Sequence, residues 1–400
     1  MVLVGTVLSM VAAGIFFISL SYIVDAFMKT TILKERRFRN VGITGTEFLD
    51  YFESITLDLV KKDRPSITSY LGHPIRVSAI HDCFNDFMFV KSQKGSLVRT
   101  KSVVAILTKD VTPVPVHSHN DYWRQLPLFD AIAHGAVSVE ADVWNIRIPQ
   151  KGKKYGELDN SQEYSLAVGH NDNYLDHEYL NLESLYTAPL LNMLNEVNVE
   201  HDGNGKKNGI FFDAPEQTLF FYIDFKSDYN KLTYRLLMEK YLQGLREKEY
   251  LTYYDLEQDK IVWNQVTVIL TGNYPKDLGV LDGGQDKRGY FKDAKRYVFL
   301  DALMHDLSSS VIDNSTSITA SSSYHQVLRS CNLPVAETDK ERVSSCFRKV
   351  VTDCHSHNVK TRIWGAPTWP KDFSMDLLRL QWEAQSDFIN LDNLSDIYSF

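Results

Sequence analysis

Two acids interrupt an otherwise apolar run at Val137-Ser138-Val139-Glu140-Ala141-Asp142-Val143-Trp144. In an extended chain Glu140 and Asp142 point to the same side, about 6.5–7 Å apart along the strand. Buried together, such carboxylates repel, and one keeps its proton unless a cation neutralises the pair. Their hard oxygens suit Mg²⁺ or Ca²⁺. A third acid, Asp224, lies near the end of Leu219–Phe225, and Lys226 follows two residues later on the same side. Imidazoles accompany the acids. His117-Ser118-His119-Asn120-Asp121-Tyr122 closes one apolar run, and Ala167-Val168-Gly169-His170-Asn171 closes another. Histidine titrates near neutral pH, so two of them can take and give a proton in one reaction. The plain alternatives are a half-exposed strand for Glu140 and Asp142 and structural hydrogen bonding for the histidines. A site is favoured because all these groups fall at or just after the ends of successive runs.

Eight such runs can be read: Val114–His119, Val137–Trp144, Leu219–Phe225, Val266–Thr271, Tyr297–Ala302, Ser317–Ser322, Thr361–Gly365 and Phe388–Leu391. Helical patterns lie between many of them, at Leu126–His134, Leu182–Val197, Asn230–Glu247, Lys340–His355 and Met375–Gln385. Alternating strands and helices argue for a parallel sheet. Eight units over roughly 290 residues argue for a closed (β/α)₈ TIM-type barrel, whose chemistry gathers at the carboxyl ends of its strands. The open, doubly wound alternative lacks its phosphate loop, because the glycines of Asp202-Gly203-Asn204-Gly205-Lys206 follow a helix rather than a strand. Residues 147–165 read as a hairpin excursion.

The rest of the chain bounds the function. Its 400 residues carry 43 basic and 51 acidic side chains, a net charge of −8, which speaks against nucleic acid as a partner. Four cysteines, Cys83, Cys331, Cys346 and Cys354, are too few for a disulfide framework and lack zinc-ligand spacing. No charge occurs from Val2 to Val24. As a helix that stretch would be roughly 34 Å long, enough to cross a bilayer core of about 30 Å. No Lys or Arg precedes it, whereas Lys29, Lys34, Arg36, Arg37 and Arg39 follow. Those flanks favour a retained anchor over a cleaved secretory signal, with the basic side in the cytosol. The expected organisation is an anchor or signal at 1–24, a connecting helical region at 25–112 and the barrel at 113–400. The protein would then be membrane-anchored, in a mitochondrial or endomembrane organelle, or secreted if the first segment is cleaved.

The order His, Glu-x-Asp, His, Asp-x-Lys resembles the phosphatidylinositol-phospholipase-C-like phosphodiesterase superfamily, which includes the glycerophosphodiester phosphodiesterases. Leu126–Val143, LPLFDAIAHGAVSVEADV, is similar to the segment that carries their metal carboxylates. Thr361-Arg362-Ile363-Trp364-Gly365 resembles their tryptophan-bearing seventh strand. More narrowly, HSHNDYWRQLPLFDA, VEADVWN, AVGHN, FFYIDFKS, VTVILTGNYP and TRIWGAPTWP resemble a fungal family named altered inheritance of mitochondria protein 6.

The resemblance implies that Glu140, Asp142 and Asp224 are ligands of a divalent cation, that Lys226 steadies the phosphate and that His170 is the second catalytic histidine. His119-Asn120-Asp121-Tyr122 is similar to the His-Asn-Thr-Tyr of eukaryotic phosphoinositide phospholipase C. That makes His119 the first catalytic histidine and Asn120 a neutral metal ligand. His117, which directly follows the apolar run as the glycerophosphodiesterase histidine does, is the competing choice and otherwise a substrate contact. Trp364 is a further candidate for lining the substrate pocket, with Trp123, Trp144 and Trp369. The implied reaction is metal-assisted cleavage of a glycerophosphodiester or phospholipid. Two other readings stay open: a zinc amidohydrolase-like barrel using His117-Ser118-His119 and Asp392, and an inactive, anchored scaffold.

Overall fold

Residues 43–63, 81, 84–85, 88–89, 102–148, 163–199, 206–282, 294–305, 307 and 315–399 are described by the computed structural model. The charge-free segment at 1–24, with its anchor-or-signal reading, lies outside them. Among the described residues no helix is long and apolar enough to cross a membrane.

Among the described residues twelve strands form, in order β1 (Val114–Ser118), β2 (Ala136–Arg147), β3 (Tyr164–Val168), β4 (Leu219–Phe225), β5 (Tyr253–Asp255), β6 (Lys260–Val262), β7 (Val266–Gly272), β8 (Lys295–Arg296), β9 (Val298–Leu303), β10 (Thr319–Ser323), β11 (Lys360–Trp364) and β12 (Phe388–Leu391). Eight of them, β1, β2, β4, β7, β9, β10, β11 and β12, pair in parallel, and β1 bonds to both β2 and β12, so the sheet closes. These eight coincide with the eight runs read from the sequence. The hairpin expectation also holds, because β3 pairs antiparallel with the far half of β2, from Val143↔Val168 to Arg147↔Tyr164. The small antiparallel sheet of β5, β6 and β8 has no counterpart in the sequence reading.

Alternation along each strand sends one set of side chains into the barrel and the other toward the helices. Ala302, Ala320 and Ile363 of β9, β10 and β11 face outward and pack on Val343, Cys346, Phe347 and Val351. Those four recur at helical spacing along α1 (Lys340–Ser356), which starts where the Asp339 side chain accepts the backbone N–H groups of Glu341 and Arg342. One disulfide, Cys331–Cys346, ties this helix to the end of α2, the preceding helix (Tyr324–Ser330). A single bridge among the described residues is in keeping with a cysteine count too small for a disulfide framework. The described parts of residues 25–112 pack on the barrel, where Phe48, Phe52, Val104 and Leu107 join Phe129 and Ile132 in one core.

Phe347, fully buried behind β9–β11, tests this packing. Phe347→Ala should cost about 3–5 kcal/mol of stability, read as a lower denaturant midpoint.

Candidate functional site

Strand register brings the acids together before any side-chain detail is considered. Asp142 of β2 lies directly beside Asp224 of β4, and Glu140 precedes Asp142 on the same inward side. One oxygen from each of Glu140, Asp142 and Asp224 falls within 4.8 Å of the others. Two oxygens on opposite sides of an ion at about 2.4 Å stand about 4.8 Å apart, so the three fit around one Ca²⁺-sized ion. The donors are carboxylates only, a set suited to a hard cation.

Asp224 owes its position to a glycine. Gly272, at the end of β7, has φ +73°, and a Cβ there would overlap the Asp224 carboxylate and crowd the Phe225 carbonyl. Only glycine combines that backbone conformation with so close an approach. Lys226 continues the β4 line, with its backbone N–H bonded to the Val143 carbonyl. Its ammonium donates to Asp224 Oδ2 at 2.6 Å and lies 3.0 Å from Asp142 Oδ2. Burial alone would depress the Lys226 pKa, but Asp224 and Asp142 outweigh it and raise it.

A second cation crosses the barrel from β11. Arg362 is buried, with Nη1 bonded to His117 Nε2 at 2.8 Å and to Asn390 Oδ1 at 3.3 Å, and 3.5 Å from Glu140 Oε1. Its Nε donates to Ser321 Oγ at 3.0 Å, and its plane lies over the Tyr222 ring. Burial opposes ionisation of Glu140, but the Arg362 guanidinium beside it holds the carboxyl well below the usual range. Asp142 behaves in the opposite way. Burial and then the charge of Glu140 push it up to about 6, with Lys226 only partly compensating.

The two neighbouring histidines part company. His117 is 0 % exposed and lies beneath Glu140, with Nδ1 at 2.7 Å from Ser138 Oγ and Nε2 accepting from Arg362. Burial, then Arg362, push its pKa down to about 3, so the ring is neutral. This corrects the reading of His117 as a substrate contact, since both ring nitrogens are engaged inside the barrel. It also removes the zinc alternative's first ligand, because the Nε2 lone pair is already taken. His119, two residues on, reaches the mouth. Its Nδ1 lies 2.6 Å from Asp392 Oδ1, and its Nε2 lies 3.7 Å from Glu140 Oε2. Burial would lower the His119 pKa, but the bond to Asp392 and the charges of Glu140 and Asp392 outweigh it and raise it.

Tyr122 joins the remaining candidates. Its hydroxyl lies 2.6 Å from Asn120 Oδ1, 2.7 Å from Asp142 Oδ2 and 3.2 Å from His170 Nδ1. Asn120 adopts the left-handed conformation that asparagine tolerates, and its backbone N–H donates to Glu140 Oε2 at 3.0 Å. The turn is braced from below by buried Asp121, which accepts from Ser118 Oγ, the Leu128 N–H and the Tyr186 hydroxyl. His170 follows β3, where the Trp144 indole N–H donates to the Gly169 carbonyl at 2.7 Å.

Thus Glu140, Asp142, Asp224, Lys226, His119, Asn120 and His170 converge, while His117 lies below them and Trp364 stands exposed at the end of β11. Sequence reasoning missed Arg362, Tyr122 and Gly272, and it named Asp392 for the zinc alternative rather than as the partner of His119. The signal for Arg362 was present as a charge inside the run Thr361–Gly365.

Residues 105–293 match the family model described as an AIM6-like phosphodiesterase domain. The chain is 42% identical over 376 residues to altered inheritance of mitochondria protein 6 of Saccharomyces cerevisiae S288c, covering 90% of this chain and 89% of that one. It is also 42% identical to the protein of that name from Zygosaccharomyces rouxii, covering 89% and 86% of the two chains. For the one from Lachancea thermotolerans the identity is 41%, with 90% and 82% covered. No solved structure matches.

Two outcomes follow from this geometry. Gly272→Ala should displace the Asp224 carboxylate and weaken Mg²⁺ or Ca²⁺ binding at least about tenfold, measured by titration calorimetry. Because the Asp142 carboxyl titrates near pH 6, metal and proton compete for it. Affinity should fall about tenfold per pH unit below that value and level off above pH 7. Affinity that does not change from pH 5 to 8 would contradict the assignment.

Proposed function

This chain belongs to the altered inheritance of mitochondria protein 6 family, and from that premise we propose that its barrel is a phosphoric diester hydrolase. It works with Mg²⁺ or Ca²⁺ on a glycerophosphodiester or phospholipid-type substrate. The observation that carries this reading is the convergence of Glu140, Asp142 and Asp224 on one point inside a closed barrel. The match of residues 105–293 to a phosphodiesterase domain agrees with it.

A cation held by these three acids, with Asn120 Oδ1 as a neutral donor, would withdraw charge from a phosphate oxygen. Lys226 then has a role beyond neutralising Asp142 and Asp224, since its ammonium can share itself with the equatorial oxygens as charge builds on them. Asp392 holds the Nδ1–H tautomer of His119, leaving Nε2 free to accept the proton of the attacking hydroxyl or water. His170, exposed and 3.2 Å from the Tyr122 hydroxyl, gives a proton to the departing alkoxide. If the nucleophile is a hydroxyl of the substrate, a cyclic phosphate forms first. Membrane anchorage through Val2–Val24 belongs to the same proposal, and that charge-free stretch is its support.

Release from glycerophosphodiesters and phospholipids, measured with and without Mg²⁺ or Ca²⁺, tests the proposal. Glu140→Gln and Asp142→Asn should each lower kcat by roughly 10²–10³, given that the cation is worth several kcal/mol to the transition state. Full turnover by either variant, or in the presence of a chelator, would overturn it.

A further inference from the structure

The mouth of the barrel is not uniform. On β1, β2, β4 and β12 its upper layer is ionic, with His119, Asp142, Asp224, Lys226 and Asp392. The strand ends of β9, β10 and β11 differ. Asp301 of β9 and Arg362 of β11 turn into the barrel, where both meet Ser321 of β10. The next residues, Ala302 and Ile363, bury themselves against the helices. One residue further, Leu303 and Trp364 therefore face inward again, at the rim. Register places Leu303 beside Ser321 and Trp364 beside Ser323. Ser323 contributes nothing polar to the mouth, because its hydroxyl caps α2 by accepting the Gln326 N–H. Leu303 is 47 % and Trp364 40 % exposed, and neither belongs to either core cluster.

We propose that this arc is an apolar subsite for a hydrocarbon substituent of the phosphodiester, so that the substrate is a chain-bearing lipid phosphodiester rather than a small water-soluble one. The inference rests on the phosphodiesterase reading and narrows it. A phosphate held near Lys226 and the three acids would extend one ester arm across the mouth, over Leu303 and Trp364. Apolar side chains that turn inward at the rim of a charged centre suit the apolar part of a ligand held there. A glycerol-sized group would leave them wet.

Binding can be read independently of turnover, with octyl phosphate and methyl phosphate titrated into the full chain in Mg²⁺. Octyl phosphate should bind at least about tenfold more tightly. Leu303→Ser should shrink that ratio by threefold or more, and Leu303→Met should preserve it. Equal affinity for the two phosphates, or a ratio untouched by Leu303→Ser, overturns the subsite. An octyl preference that depends on Leu303 in a protein that cleaves no phosphodiester would uphold the subsite and sink the hydrolase reading instead.

Discussion

Three carboxylates gathered at the mouth of one barrel, two of them buried, are the constraint around which the remaining structure is organised. Left alone, Glu140, Asp142 and Asp224 would repel one another at a cost that burial only increases. Two fixed cations answer that cost from opposite sides. Lys226 lies against Asp142 and Asp224, and Arg362 approaches Glu140 from across the barrel. Three negative charges against two positive leave the cluster one negative charge in excess, which adds to burial in raising the pKa of Asp142. A site with a surplus of negative charge and oxygen donors within 4.8 Å is prepared for a divalent ion.

Closure of the sheet makes this arrangement possible. Arg362 touches groups from β1, β2, β10 and β12 at once, which an open sheet could not offer. Its partners are mostly neutral: His117, Ser321 and Asn390. His117 is thus a structural imidazole whose neutrality lets it accept from the guanidinium, while its near neighbour His119 is exposed enough to exchange protons. The same Arg362 network holds Asp301 and Ser321, so the polar interior is continuous from β9 to β2.

Most barrel strands were legible because they are short apolar runs bounded by turns, and the acids because they break the pattern of β2 and β4. Other features were hidden for identifiable reasons. β10, read as the run Ser317–Ser322, did not show its purpose: it is Thr-Ala-Ser-Ser-Ser, and its inward hydroxyls serve Asp301 and Arg362 instead of a greasy core. The expected helices at 182–197 and 230–247 contain π turns at Glu183–Thr187 and Leu237–Tyr241 that no periodicity announces. Arg362 lies 245 positions from the histidine it supports, a pairing that only the fold can reveal. The choice between His117 and His119 likewise needed burial, because both stand on the same side of one strand and its extension.

The most direct measurement is an anomalous difference map from a crystal soaked in Mn²⁺. One peak should appear about 2.0–2.6 Å from oxygens of Glu140, Asp142 and Asp224 together, with the Lys226 ammonium shifted from its position between Asp142 and Asp224. A map with no peak among these three acids, or one in which Lys226 keeps both its bonds and the ion binds elsewhere, would contradict the account.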